Sequence, residues 1–177
     1  MEESSPELMV VMPVFNEQAA VESVVCEWMS ALEAELSSFT LLAIDDGSSD
    51  DTRRILTDLQ DQYPDRLEVL SRPNRGHGQT CLDGYRIALD RRIPYVFQID
   101  SDGQSDPRHF RQFWRERENH DVIYGKRLRS DGFRRMLASL VLRISLRILA
   151  GVDCVDANVP YRLMKIGRAS CRERVLR

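Results

Sequence analysis

At 177 residues the chain has the length of one domain, with enough of it available for burial to form a sizeable core. Hydrophobic residues make up 42% and charged ones 30%, a globular balance that argues against disorder, and no run approaches the ~20 apolar residues of a membrane span. The four cysteines, Cys26, Cys81, Cys154 and Cys171, have neither CxxC nor paired spacing, which argues against a zinc site and a disulfide framework.

The chain opens on the acidic stretch Met1–Glu7, unlike a secretory signal, so the expected location is the cytoplasm. Leu8–Val14 is a short apolar run and predicts a buried strand. Val21, Val24, Val25, Trp28, Leu32 and Leu36 recur at helical spacing and predict a helix over Val21–Leu36. A second buried strand is expected at Phe39–Ile44, a helix at Asp50–Gln62 and a third strand at Leu67–Leu70. A helix follows at Gln79–Asp90, a strand at Pro94–Ile99, a Pro-started helix at Pro107–Arg117 and a fifth strand at Asp121–Tyr124. Strands alternating with helices imply a mostly parallel sheet covered on both faces.

Every polar cluster follows a strand. Phe15-Asn16-Glu17 follows the first, Asp45 to Ser49 the second, Pro73 to Gly78 the third, and Asp100 to Gln104 the fourth. In an open α/β sheet such loops gather at the carboxyl edge, where ligands bind. Asp100 and Asp102, two residues apart in extended chain, can point the same way, and Gln104 adds a neutral oxygen. Hard oxygen donors of this kind suit Mg²⁺ or Mn²⁺ with positions left open for phosphate. Asp106 caps the helix at Pro107, which leaves the other two acids unexplained by capping. Asp45 and Asp46 offer carboxylates that could accept from a base N–H or a ribose hydroxyl, while Gly47 permits a turn and Ser49 or Asp50 caps the next helix. Gly76 and Gly78 let the backbone approach a ligand at the start of a helix, whose N–H groups could face phosphate. His77 reads more simply as structural. Neither a P-loop nor a dinucleotide GxGxxG is present.

These loops, in this order, resemble the family 2 glycosyltransferases with the GT-A fold. Within that family they are similar to the polyprenyl-phosphate glycosyltransferases of the dolichol-phosphate mannose synthase kind. The matching segments are Val10–Glu17, Ile44–Asp50, Asn74–Gly78, Gln98–Pro107, Tyr124–Arg127 and Val155–Met164. The resemblance implies a Rossmann-like α/β three-layer sandwich and transfer of a sugar from a UDP- or GDP-linked donor, with inversion at C1, to an acceptor such as a polyprenyl phosphate. It implies that Pro13, Phe15, Glu17 and one of Asp45 or Asp46 hold base and ribose. Asp100, Asp102 and Gln104 would carry the metal on the donor diphosphate. Arg127 would lie near the phosphates or the acceptor, and Asp156 and Arg162 near the active site. An anionic phosphate acceptor needs no strong base; a hydroxyl acceptor would, with Asp156 as the candidate. A sugar-nucleotide pyrophosphorylase and a donor-binding but inactive piece stay open as alternatives.

The net charge of −3 hides a split: residues 1–106 carry 21 acidic and 8 basic side chains, residues 107–177 carry 7 and 17. Arginines line the polar side of the apolar stripe Leu137, Leu140, Val141, Ile144 and Ile148, so Arg134–Ala150 predicts either a helix packed on the sheet or one lying on an anionic membrane at its inner face. No aromatic residues interleave with these arginines, which argues against nucleic acid. The family pattern runs to Lys165 and then stops. Ile166–Val175 resembles a translated sequencing adapter, so the expected division is a glycosyltransferase domain over 1–165, cut short on its acceptor side, and a non-native tail over 166–177.

Overall fold

The computed structural model describes residues 6–125 and 161–166. Strand β1 (Leu8–Val14) is buried along its whole length. Its pleat sends alternate side chains to opposite faces. Leu8, Val10, Met12 and Val14 enter the larger core cluster, Met9 and Val11 the smaller one behind the sheet. That two-sided burial is why the run reads as unbroken apolar residues rather than as an alternation.

Helix α1 (Val21–Glu33) lays Val21, Val25, Trp28 and Leu32 on the larger core. It ends three residues ahead of the expected Leu36, which stays buried in a following turn with its N–H donating to the Leu32 carbonyl at 2.8 Å. Strand β2 (Phe39–Asp45), helix α2 (Thr52–Gln62) and strand β3 (Leu67–Ser71) follow as the pattern predicts. Helix α3 (His77–Asp90) starts two residues earlier than expected. Strand β4 (Tyr95–Ile99) leads to a 3-10 turn at Pro107–His109, which Asp106 caps by accepting from the Arg108 N–H at 3.0 Å. Helix α4 (Phe110–Glu116) and the short strand β5 (Val122–Tyr124) come next.

The sheet order is β3-β2-β1-β4-β6-β5, where β6 is Tyr161–Lys165. The first four positions are parallel neighbours; β6 runs antiparallel to both β4 and β5. The sheet is therefore mostly parallel, as expected, with one reversed strand that no local periodicity announced. Aromatic packing fixes it: the Tyr161 ring stacks on Phe97 at 6.0 Å and meets Trp28 edge-on at 6.0 Å. Just past the end of β6, the Ile166 N–H donates to the Pro94 carbonyl at 2.8 Å and Ile166 packs on the smaller core cluster. On the other face α3 comes so near β1 that a Cβ on Gly84 would lie 2.4 Å from Val11 Cγ1.

The expected helix at Arg134–Ala150, the site candidates Arg127 and Asp156, and residues 167–177 lie outside the described residues. Among the described residues no helix is long and apolar enough to cross a membrane.

Candidate functional site

Because β1 and β2 pair in register to their last residues, Val14 opposite Asp45, the loops that follow leave the sheet side by side. They are then laced together. The Asn16 N–H donates to Ser48 Oγ at 2.9 Å, and Asn16 Oδ1 accepts from the Ser49 N–H at 2.8 Å, with Asn16 held at φ 55°. The Glu17 N–H donates to Thr52 Oγ1 at 2.8 Å. Asp50 accepts from the Thr52 N–H at 3.0 Å and from the Gln18 N–H at 3.3 Å, while the N-cap position of α2 falls on Asp51, whose side chain makes no capping bond, rather than on the expected Ser49 or Asp50. These bonds fix the direction in which Phe15 and Glu17 leave β1.

The loops after the first four strands close on one cavity of about 290 Å³. The β1 loop contributes Pro13, Val14, Phe15 and Glu17, and β2 contributes Asp46. The β3–α3 connection contributes Asn74, Gly76, His77 and Thr80, and β4 contributes Ser101. Of the residues expected to hold a nucleotide, Pro13, Phe15, Glu17, Asp46 and Gly76 are brought together here. Phe15 is 48% exposed, an uncovered aromatic ring at the cavity. His77 sits on the wall rather than in the core, and Thr80 is a lining residue that sequence gave no reason to single out. Its place one turn after the glycine-containing loop is the only signal that could have marked it.

The two adjacent acids part company. Asp45 is buried and its Oδ1 accepts the Ser48 N–H at 3.0 Å, closing the turn at Gly47; it does not line the cavity. Gly47 takes φ 79°, and a Cβ there would come within 2.7 Å of the Asn74 backbone nitrogen. Asp46 does line the cavity, but both of its oxygens are engaged: Oδ1 accepts from the Arg75 N–H at 3.0 Å and Oδ2 from the Gly76 N–H at 2.8 Å. Burial opposes its ionisation. The Arg75 and Gly76 N–H groups, the Thr80 hydroxyl and the Arg72 guanidinium outweigh that and hold its pKa below the ordinary value.

The rest of the site is acidic. Burial first, then the charges of Asp102 and Asp50, raise the Glu17 pKa above its ordinary value, so both aspartates lie within electrostatic reach of Glu17. Asp102 is exposed, and its Oδ1 accepts from the Gln104 N–H at 2.9 Å. Asp100 is half-buried at the end of β4 on the α3 side. There the Cys81 thiol is pushed up to about 11, first by burial and then by the Asp100 charge. Arg162 of β6 reaches the same region: it stands opposite Gln98 in the ladder, and its guanidinium lies 5.2 Å from the Tyr124 ring centroid. Gln104 turns away. Its side lines an open groove of about 1020 Å³ between α1 and the β4–α4 loop, with Ser30, Ala34 and Arg111 among its other walls.

Among the described residues no three His, Cys, Asp or Glu side chains converge on a point where they alone could hold a metal. Carboxylates whose charges act on one another, as those of Asp102 and Asp50 do on Glu17, nevertheless suit a divalent cation whose remaining ligands are oxygens from a bound anion. Among the described residues no lysine or arginine lines the cavity, and Glu17 and Asp46 are the carboxylates on its wall.

Comparison with known proteins decides the family. The model of glycosyl transferase family 2 matches residues 9–144. The chain belongs to that family. Among curated relatives of this family 2 member, it is 26% identical over 162 residues to a polyprenol monophosphomannose synthase of Mycolicibacterium smegmatis, covering 87% of this chain and 60% of the relative. It is 26% identical over 156 residues to an undecaprenyl-phosphate 4-deoxy-4-formamido-L-arabinose transferase of Pectobacterium carotovorum, covering 86% and 47%. The chain thus spans less than two thirds of the length of either. The fold is similar to that of a mannosyltransferase from Pyrobaculum calidifontis in complex with GDP-Man and Mn²⁺, with a TM-score of 0.62, 17% identity, and coverage of 92% of this chain and 45% of that one. It is also similar to the glucosyl-3-phosphoglycerate synthase of Mycobacterium tuberculosis in complex with Mn²⁺, UDP and phosphoglyceric acid, with a TM-score of 0.63, 22% identity, and coverage of 90% and 56%. The family 2 chain therefore has the GT-A sandwich that its sequence resemblance implied.

Proposed function

We propose that the chain binds a nucleoside-diphosphate sugar in the 290 Å³ cavity together with a divalent cation, and passes the sugar with inversion at C1 to a polyprenyl phosphate. The observation that carries this reading is the convergence of four strand-end loops on one cavity walled by Glu17 and Asp46, where Ser101, the residue between Asp100 and Asp102, lines the β4 side. The curated relatives named for polyprenyl-phosphate acceptors support the acceptor class, and the solved relatives holding GDP-Man or UDP support the donor class.

In this reading Phe15 offers its ring face to the base and Glu17 a carboxylate to the ribose or base N–H groups. Helix α3 brings the N–H groups of its first turn, which have no carbonyl partner within the helix, toward the phosphates. Asp100 and Asp102 would hold Mg²⁺ or Mn²⁺, with Gln104 needing to turn back from its groove to join them. Once bound, the cation supplies positive charge against that which grows on the departing diphosphate. An oxygen of the acceptor phosphate forms the new bond to C1 from the opposite face. The C1–O bond to the diphosphate breaks, and its electron pair leaves with the nucleoside diphosphate. The acceptor is already anionic, so no side chain need remove a proton. Arg127 and Asp156 keep the roles that resemblance implies, near phosphate and acceptor. The arginine-flanked apolar stripe of 134–150 would meet an anionic membrane, and flotation on vesicles should then rise with anionic lipid and fall with salt.

Calorimetry with UDP and GDP, with and without Mn²⁺, tests the donor reading. Binding should require the metal, and Asp102→Asn should weaken it at least about tenfold, no less than the loss of an outer-shell metal partner, with an unchanged melting curve. Equal binding with and without Mn²⁺ in both proteins would overturn it. Transfer of labelled sugar to a short-chain polyprenyl phosphate tests the acceptor.

A further inference from the structure

We propose that Arg72 is a positioning residue for the nucleotide cavity: it shapes the wall without touching the occupant. The inference rests on the donor reading of that cavity. Arg72 leaves the end of β3, its N–H donating to the Asp45 carbonyl at 3.1 Å, and its side chain is only 11% exposed. It is absent from the cavity lining. Its guanidinium reaches three acceptors on two elements. Nε donates to Asp46 Oδ1 at 3.1 Å, one terminal nitrogen pairs with Asp83 of α3, and the other donates to Thr80 Oγ1 at 2.6 Å.

The effect passes through Asp46. That carboxylate is 4% exposed and grips the Arg75 and Gly76 N–H groups, so it decides where the β3–α3 loop lies. Gly76 of that loop and His77 and Thr80 of the first turn of α3 are cavity walls. A buried carboxylate that loses its cation is left uncompensated and moves toward water or neutralises. Either response releases the two N–H groups and the wall with them. The planar fork explains why arginine stands here, since an ammonium is a single point charge and cannot meet three separated acceptors at once. Asp83 anchors the far end of the fork and is itself held by Gln79 at 2.7 Å and Arg86 at 3.1 Å.

The test compares Arg72→Met and Arg72→Lys with Leu56→Ala, a core substitution in α2 at a residue that does not line the cavity. Amide exchange of the 72–78 backbone is read without ligand, and UDP and GDP binding with Mn²⁺ is read by calorimetry below every melting point. In Arg72→Met the Arg75 and Gly76 amides should exchange at least about tenfold faster and nucleotide affinity should fall about tenfold or more. Arg72→Lys should fall between it and the parent, and Leu56→Ala should bind normally despite its lower melting point. Should Arg72→Met fail to fold, Arg72→Lys alone carries the comparison. Unchanged exchange and affinity in both arginine variants would overturn the proposal. So would an equal loss of affinity in Leu56→Ala, which marks a merely structural effect. A parent that binds neither nucleotide sinks the donor reading and the positioning role with it; faster exchange in the variants would then mark Arg72 as a loop clamp only.

Discussion

The Tyr161 hydroxyl donates to the Asp106 carbonyl at 2.8 Å, across 55 residues of sequence. This bond ties the inserted strand β6 to the loop that carries Asp102. Tyr161→Phe keeps the ring stack on Phe97 and removes only that bond, so it should cost about 1 kcal/mol in a denaturant titration. It should also weaken metal-dependent nucleotide binding, since the loop loses its tether. A stability equal to the parent's would show that the bond adds nothing.

Phe15 is exposed and belongs to neither core cluster, so the fold has no use for its ring. Phe15→Ala should change stability by less than about 0.5 kcal/mol. Loss of a stacking face should lower UDP or GDP affinity by about fivefold or more, the equivalent of ~1 kcal/mol per stacked base. Calorimetry and a melting curve on the same sample separate the two effects.

Asp46 ionises more readily in the folded chain than its ordinary value of 3.8, because the Arg75 and Gly76 N–H groups, Thr80 and Arg72 outweigh the cost of its burial. The stability it contributes is therefore complete above pH 3.8 and is lost as the pH falls through its lower folded value. Urea midpoints measured from pH 6 to pH 2 should fall less steeply for Asp46→Asn than for the parent, with the two converging at the acid end. Parallel curves would remove Asp46 from the linkage.

Gly84 is the point where α3 touches β1. Alanine at this helical position would gain intrinsic propensity, but its Cβ would meet Val11 Cγ1 at 2.4 Å. Gly84→Ala should therefore be destabilising by about 1–3 kcal/mol. Combining it with Val11→Ala, which vacates that space, should cost less than the sum of the single changes.

The element order was legible in the sequence because each early strand and helix carries its own local pattern. The run Leu8–Val14 and the helical face from Val21 to Leu32 needed no distant partner to be seen. The cavity was legible for a related reason. Parallel strands deliver their loops to one edge, so Phe15, Glu17, Asp46 and Gly76 could be expected together from chain order alone. What only the tertiary structure decided were the pairings across the chain. Strand β6 is placed between β4 and β5 by the Tyr161–Phe97 stack and an antiparallel ladder, neither of which leaves a local signature. Of the neighbours Asp45 and Asp46, successive residues point to opposite sides, and which one closes a turn and which faces the cavity depends on the β3–α3 loop arriving 29 residues later. Gln104 and Arg72 make the same point in opposite directions. One looked like a ligand and lines another groove; the other carried no local signal and is buried between two carboxylates. Hydrophobic periodicity reports what a residue's own segment buries, whereas the partner of a charged side chain is set by whatever the fold brings opposite it.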